Sequence, residues 1–106
     1  MSGILNPPDK IRKSHVTIKL IDPFPELYKN SWSMPAVELV AWLAMCNRYG
    51  SIDKARRFIG LSQNGAYYRL YALEERVKNP VWRRQQRPFR LTEKGKELVR
   101  RYESKN

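Results

Sequence analysis

Two primary amides, Gln63 and Asn64, directly follow Ser62, and three tyrosines, Tyr67, Tyr68 and Tyr71, come after them in a short run. A primary amide carries a donor and an acceptor side by side, the pattern needed for paired contacts to the edge of adenine. A phenol can lie on a sugar, touch a thymine methyl or donate to a phosphate. Further along, residues 82–90 read WRRQQRPFR, with Arg83, Arg84, Arg87 and Arg90 and no acid. Guanidinium groups so placed suit phosphate oxygens or a narrow, electronegative minor groove, and a solvated loop is the plain alternative. Ser51 and Ser62 precede candidate helices, where a hydroxyl caps free amides and those amides can also hold a phosphate oxygen; capping is the principal role of the side chains. Lys54 and Arg69 add positive charge near the same elements.

Catalytic constellations are missing from the sequence. The one His, His15, and the one Cys, Cys46, lie far apart and cannot form a Cys/His zinc site, and a lone Cys forms no internal disulfide. Glu74 and Glu75 are neighbours and so point about 100° apart on a helix. Tyr67 or Tyr68 beside Arg69 lacks the larger constellation that a tyrosine nucleophile needs for DNA cleavage. The chain is therefore expected to be a non-enzyme with no metal, no cofactor and no inferred small-molecule ligand.

The chain has 106 residues and a net charge of +11, enough chain for one core and too little for separate cofactor and substrate domains. Fifteen of the 21 basic residues fall after Tyr49, against six of the ten acidic ones, so a polyanionic partner should meet the C-terminal half. The longest apolar stretch, 36–46, contains Glu38 and is far below the ~20 residues of a membrane span. The N-terminus lacks an apolar core followed by a cleavage site. These features predict a cytoplasmic, nucleoid-associated protein with no membrane partner.

The elements that must position these residues follow from periodicity and punctuation. Residues 1–14, with Pro7 and Pro8, read as a flexible arm. In 15–22 Val16, Ile18 and Leu20 alternate with polar residues, the pattern of a half-buried strand, and Pro23 and Pro25 then begin a connector to residue 34. Residues 35–106 form the expected functional domain. Pro35 starts a central helix over 36–49, apolar nearly all round, which Gly50 ends. Ser51 caps a second helix to Ile59, whose Ile52, Ala55, Phe58 and Ile59 share a face, and Gly60 permits a tight turn. Ser62 caps a third helix to Lys78 with a stripe of Ala66, Leu70, Leu73 and Val77. Opposite this stripe stand Asn64, Tyr68, Tyr71 and Glu75, with Tyr67 on a flank. Extended pieces at 81–85 and 89–92 suggest a hairpin, and Thr92 can cap a last helix to Tyr102. Trp32 and Trp42 are expected to anchor the core; Trp82 is undecided.

The order helix, helix, Gly-containing turn, helix, basic hairpin is the layout of a winged helix-turn-helix. Residues 50–99 resemble the DNA-binding domain of LysR-type regulators and the related ModE N-terminal domain. The resemblance is carried by Gly50 and Ser51, by Ala55, by Gly60, Leu61, Ser62 and Gln63, by Ala72, Leu73, Glu74 and Glu75, by Pro80, and by Arg90, Leu91, Thr92, Glu93 and Gly95. It implies base contacts from Gln63, Asn64, Tyr67 and Tyr68 at the start of a recognition helix, and phosphate contacts from a wing. Asn64 stands where the LysR-type pattern usually has Pro, so the resemblance carries no operator sequence, and no effector-binding domain is expected to follow.

The expected fold class is thus mainly α with a small β component (α+β): a three-helix core, a β-hairpin wing over 81–92, a C-terminal helix and an N-terminal strand. The expected function is sequence-specific binding of double-stranded DNA as a homodimeric regulator that represses by occupancy. Its interface is expected at Val16, Ile18 and Leu20 of the strand and Leu98, Val99 and Tyr102 of the last helix. Two other readings stay open: an architectural or partition protein that spreads along DNA, and a winged helix whose tyrosine face binds a protein.

Overall fold

Pro35 begins the first long helix, its carbonyl accepting from the amides of Glu38 and Leu39 at 3.0 and 3.3 Å. The computed structural model describes residues 22–104. After a short 3-10 turn at Pro25–Leu27, four helices follow: α1 (Ala36–Tyr49), α2 (Ile52–Ile59), α3 (Gln63–Val77) and α4 (Glu93–Ser104). They fall where periodicity and capping residues place them.

Each boundary has a local cause. Gly50 takes the left-handed conformation (φ 70°) that ends α1, and the Ser51 hydroxyl accepts from the Lys54 amide at 3.1 Å to open α2. Gly60 (φ 82°) turns the chain, and the Ser62 hydroxyl accepts from the Gly65 amide at 3.0 Å to open α3. The Thr92 hydroxyl accepts from the Gly95 amide at 3.1 Å at the start of α4 and donates to the Pro80 carbonyl at 2.7 Å.

Helix α1 lies at the centre and packs against α2, α3 and α4. Its Leu39, Val40, Leu43 and Cys46 are fully buried, meeting Ala66, Leu70 and Leu73 of α3, Ala55 of α2 and Leu98 of α4 in one core. Trp42 is buried too, and its indole N–H donates to the Ala66 carbonyl at 3.0 Å, a bond that fixes the first turn of α3 to the central helix. Phe24 and Leu27 join this core from the 3-10 turn. That turn is clamped on α4 by Arg101, which pairs with Glu26 at 2.7 Å, donates to the Pro23 carbonyl and lies over the Phe24 ring.

The expected β component is not found: the described residues form four helices and no strand or sheet. Across 81–92 a single antiparallel bridge joins Trp82 and Leu91. The reason lies in where the backbone donors go. The Val81 amide donates to the Glu74 carboxylate at 2.9 Å and the Phe89 amide to the Gly50 carbonyl at 3.0 Å, while Pro88 has no amide to give. Only Arg83 to Arg90 (2.9 Å) and Thr92 to Val81 (3.2 Å) cross between the two arms. The segment is a loop fastened to the helices, not a wing. The strand expected at 15–22 falls on residues 15–21, which with the arm 1–14 lie outside the described residues; Asp22 is not in a strand, and its carboxylate accepts from the Phe24 amide.

Three further expectations are corrected. Trp32 is 95% exposed, because an Asn30 side chain that accepts from the Trp32 amide and the Ser33 hydroxyl turns this stretch outward. Phe58 and Ile59 of α2 are exposed, leaving Ile52 and Ala55 as its buried contacts. Leu98 and Val99 are buried in the chain's own core, so their side chains are not available to a second copy. Among the described residues no helix is long and apolar enough to cross a membrane.

Candidate nucleic-acid interface

Helices α2 and α3 are joined by residues 60–62, a helix-turn-helix connection in which a left-handed Gly60 precedes the Ser62 cap. The cap uses the Ser62 hydroxyl internally, as Ser51 uses its own on the Lys54 amide. Gln63 and Asn64 are exposed in the first turn of α3, which contains no acidic residue. The positive end of the helix dipole is therefore not offset locally. One turn on, Tyr68 is 63% exposed, and Tyr71 is 51% exposed beyond it.

Tyr67 and Arg69 are half-buried. Tyr67 packs on the core, with its ring centroid 6.1 Å from Trp82 and 6.3 Å from Tyr71. Trp82 in turn stacks on the buried Phe89 ring (5.7 Å, 9° between planes), which settles its place as a support between α3 and the loop. Its indole N–H is buried and has no hydrogen-bond acceptor among the described residues.

The four loop arginines separate into two kinds. Arg83, Arg87 and Arg90 are exposed and have no acidic partner among the described residues. Arg84 instead forms a two-point contact with Glu74 (Nη2 to Oε1 2.7 Å, Nη1 to Oε2 3.4 Å) and lies 4.8 Å from the Trp82 ring and 5.4 Å from the Tyr71 ring. The bond to Glu74 raises the Arg84 pKa further above its usual value. Arg84 thus holds the loop to α3 and is not a free phosphate contact. Glu74, which sequence reasoning passed over as one of two adjacent acids, is the point where both the Val81 amide and Arg84 converge. The sequence signal for it was an acid on a helix face turned toward an arginine-rich segment.

Lys54 is exposed in the first turn of α2. Arg56 and Arg57 are engaged by Asp53 at 2.9 and 3.1 Å. The structure thus brings Asn64, Tyr68 and Tyr71 onto one open helix face, with Gln63 exposed in the same first turn about 100° round from Asn64, and leaves Arg83, Arg87 and Arg90 open on the loop anchored to that helix. Of the residues expected at an interface between copies, Val16, Ile18 and Leu20 lie outside the described residues, and Tyr102 is half-buried against the core. Among the described residues no group of three or more His, Cys, Asp or Glu is placed to hold a metal ion. Comparison with protein-family models, curated proteins and solved structures finds no match to this chain.

Proposed function

We propose that this protein binds double-stranded DNA in a sequence-specific manner, with α3 entering the major groove. The observation that carries this reading is the acid-free, exposed first turn of α3. Gln63 and Asn64 there offer paired donors and acceptors at the helix end that helix-turn-helix proteins direct at bases. Tyr68, one turn on from Asn64 on the same face, meets sugar, phosphate or a thymine methyl, and Arg83, Arg87 and Arg90 neutralise backbone phosphates beside it. Lys54 adds a further contact of the same kind. The net charge of +11 supplies the long-range attraction.

The chain acts as a pair of copies on two half-sites, because one module of this size gains limited specificity alone. It represses by occupying its site, and in the cell it is found with the nucleoid. Catalysis, cofactors and small-molecule effectors have no part in this reading.

Selection of bound fragments from random duplexes, read at two protein concentrations, tests it. A fixed, two-fold symmetric site at both concentrations supports the reading. Footprints that lengthen with concentration would replace it with an architectural protein, and no enrichment of any sequence would refute base readout.

A further inference from the structure

A second exposed surface lies away from α3. A groove of about 560 Å³ runs along the C-terminal half of α1 and is closed by α2 and the end of α4. Its floor is made of small and flexible side chains, Ala41, Ala44 and Met45, and one wall is the Phe58 ring, 69% exposed and packed against Tyr49 at a centroid distance of 5.3 Å. A large aromatic left that far in water beside an apolar groove is a knob next to a hole.

The charges at the edge of the groove match each other. Arg48, from the last turn of α1, and Glu103, from the last turn of α4, both line it, both are exposed, and neither has an ion-pair partner among the described residues. In a two-fold pair the contact of one residue with another is repeated with the roles exchanged, so a face carrying one knob, one hole, one cation and one anion can complement itself. No lining residue comes from α3 or from 79–92, so the groove is separate from the residues proposed to read bases and from the loop arginines; of the residues proposed for DNA only Lys54 shares a helix with Phe58, one turn away.

We infer that this groove is where a second copy of the chain docks, Phe58 of each copy entering the groove of the other and Arg48 of each facing the other's Glu103. The surface stands independently of the DNA reading, and its test contains no DNA. Sedimentation of the full chain over a wide concentration range is expected to show a reversible pair. Phe58→Glu should weaken association by about tenfold or more, as expected for an aromatic at the centre of an interface. Since Phe58 is mostly in water, the helical circular dichroism and melting temperature of the variant monomer should match those of the parent monomer. Arg48→Glu or Glu103→Arg alone should weaken the pair, and the double exchange should restore it. A chain that stays monomeric, a pair indifferent to Phe58→Glu, or a double exchange no better than the single ones would overturn the inference. A monomer whose groove is covered by its own residues 1–21 would overturn it as well.

Discussion

The Arg84 guanidinium is gripped by both carboxylate oxygens of Glu74, the shorter contact being 2.7 Å, and the same carboxylate accepts the Val81 amide at 2.9 Å. One acid therefore joins the last third of α3 to the beginning of the loop that carries the remaining arginines. Glu74→Ala should cost about 1–3 kcal/mol, because the part-buried Val81 amide is deprived of its acceptor. Arg84→Ala should cost less, since Arg84 is nearly half exposed and its ion pair is screened by solvent. Denaturant titration of the two variants checks this order, and equal losses would mean that the ion pair, not the backbone contact, is what matters.

Arg83 and Arg87 are open to solvent without an acidic partner, so their effect should appear in binding and not in folding. Replacing either by Ala should reduce the slope of log affinity against log salt by about 0.9 for each phosphate no longer neutralised, on every duplex alike. Arg84→Ala should change that slope less than either. Anisotropy titrations at several salt concentrations measure all three.

Asn64 stands on the first turn of α3 with its side chain exposed. Asn64→Ala should leave the melting temperature unchanged and relax preference at one or two base pairs, at about 1–3 kcal/mol for the bidentate pairing it removes. Competition between the selected duplex and single-base variants of it provides the readout. A uniform loss on all sequences would assign Asn64 to the backbone instead.

At Gly95 α4 runs close against the loop: a Cβ there would overlap the Val81 carbonyl oxygen. Alanine normally favours a helix over glycine by up to about 1 kcal/mol. Here Gly95→Ala must push α4 off the loop, and the net result should be a loss of about 1–3 kcal/mol, as for other overpacked sites. A thermal melt decides the sign, and any gain in stability would show that α4 can shift freely.

Burial pushes the Cys46 thiol from its ordinary 9.0 up to about 12. Between these values the unfolded chain releases the thiol proton and the folded chain keeps it. Stability is therefore fully present below pH 9 and is lost as pH rises toward 12, by at most about 1.4 kcal/mol per pH unit from this one group. Cys46→Ala should show a shallower alkaline decline than the parent when both are followed by denaturant midpoint. Alkylation of native Cys46 at pH 8 should likewise be slow.

The helices were legible because their causes are local. Ser51, Ser62 and Thr92 cap, Gly50 and Gly60 turn left-handed, and the stripe through Ala66, Leu70 and Leu73 needs only the helical repeat. The same repeat correctly turned Tyr68 and Tyr71 outward. The loop was misread because its amides are claimed by groups distant in sequence, Glu74 for Val81 and Gly50 for Phe89, which no local pattern announces. Four arginines within nine residues look alike in a sequence; only the fold shows that Arg84 is held by Glu74 and flanked by Trp82 and Tyr71. Trp32 and Trp42 look alike too, until an Asn30 turn carries one outward and the Ala66 carbonyl receives the other.

That last contact makes α3 a lever whose fulcrum is Trp42. The carbonyl it engages closes the first turn of α3, which carries Gln63 and Asn64, so in the proposed DNA reading the pitch at which these amides would meet a duplex is set from the middle of the molecule. Trp42→Phe, which keeps the ring and removes the donor, would let that end of the rod swing, and readout at the groove would blur with every outward-facing side chain intact.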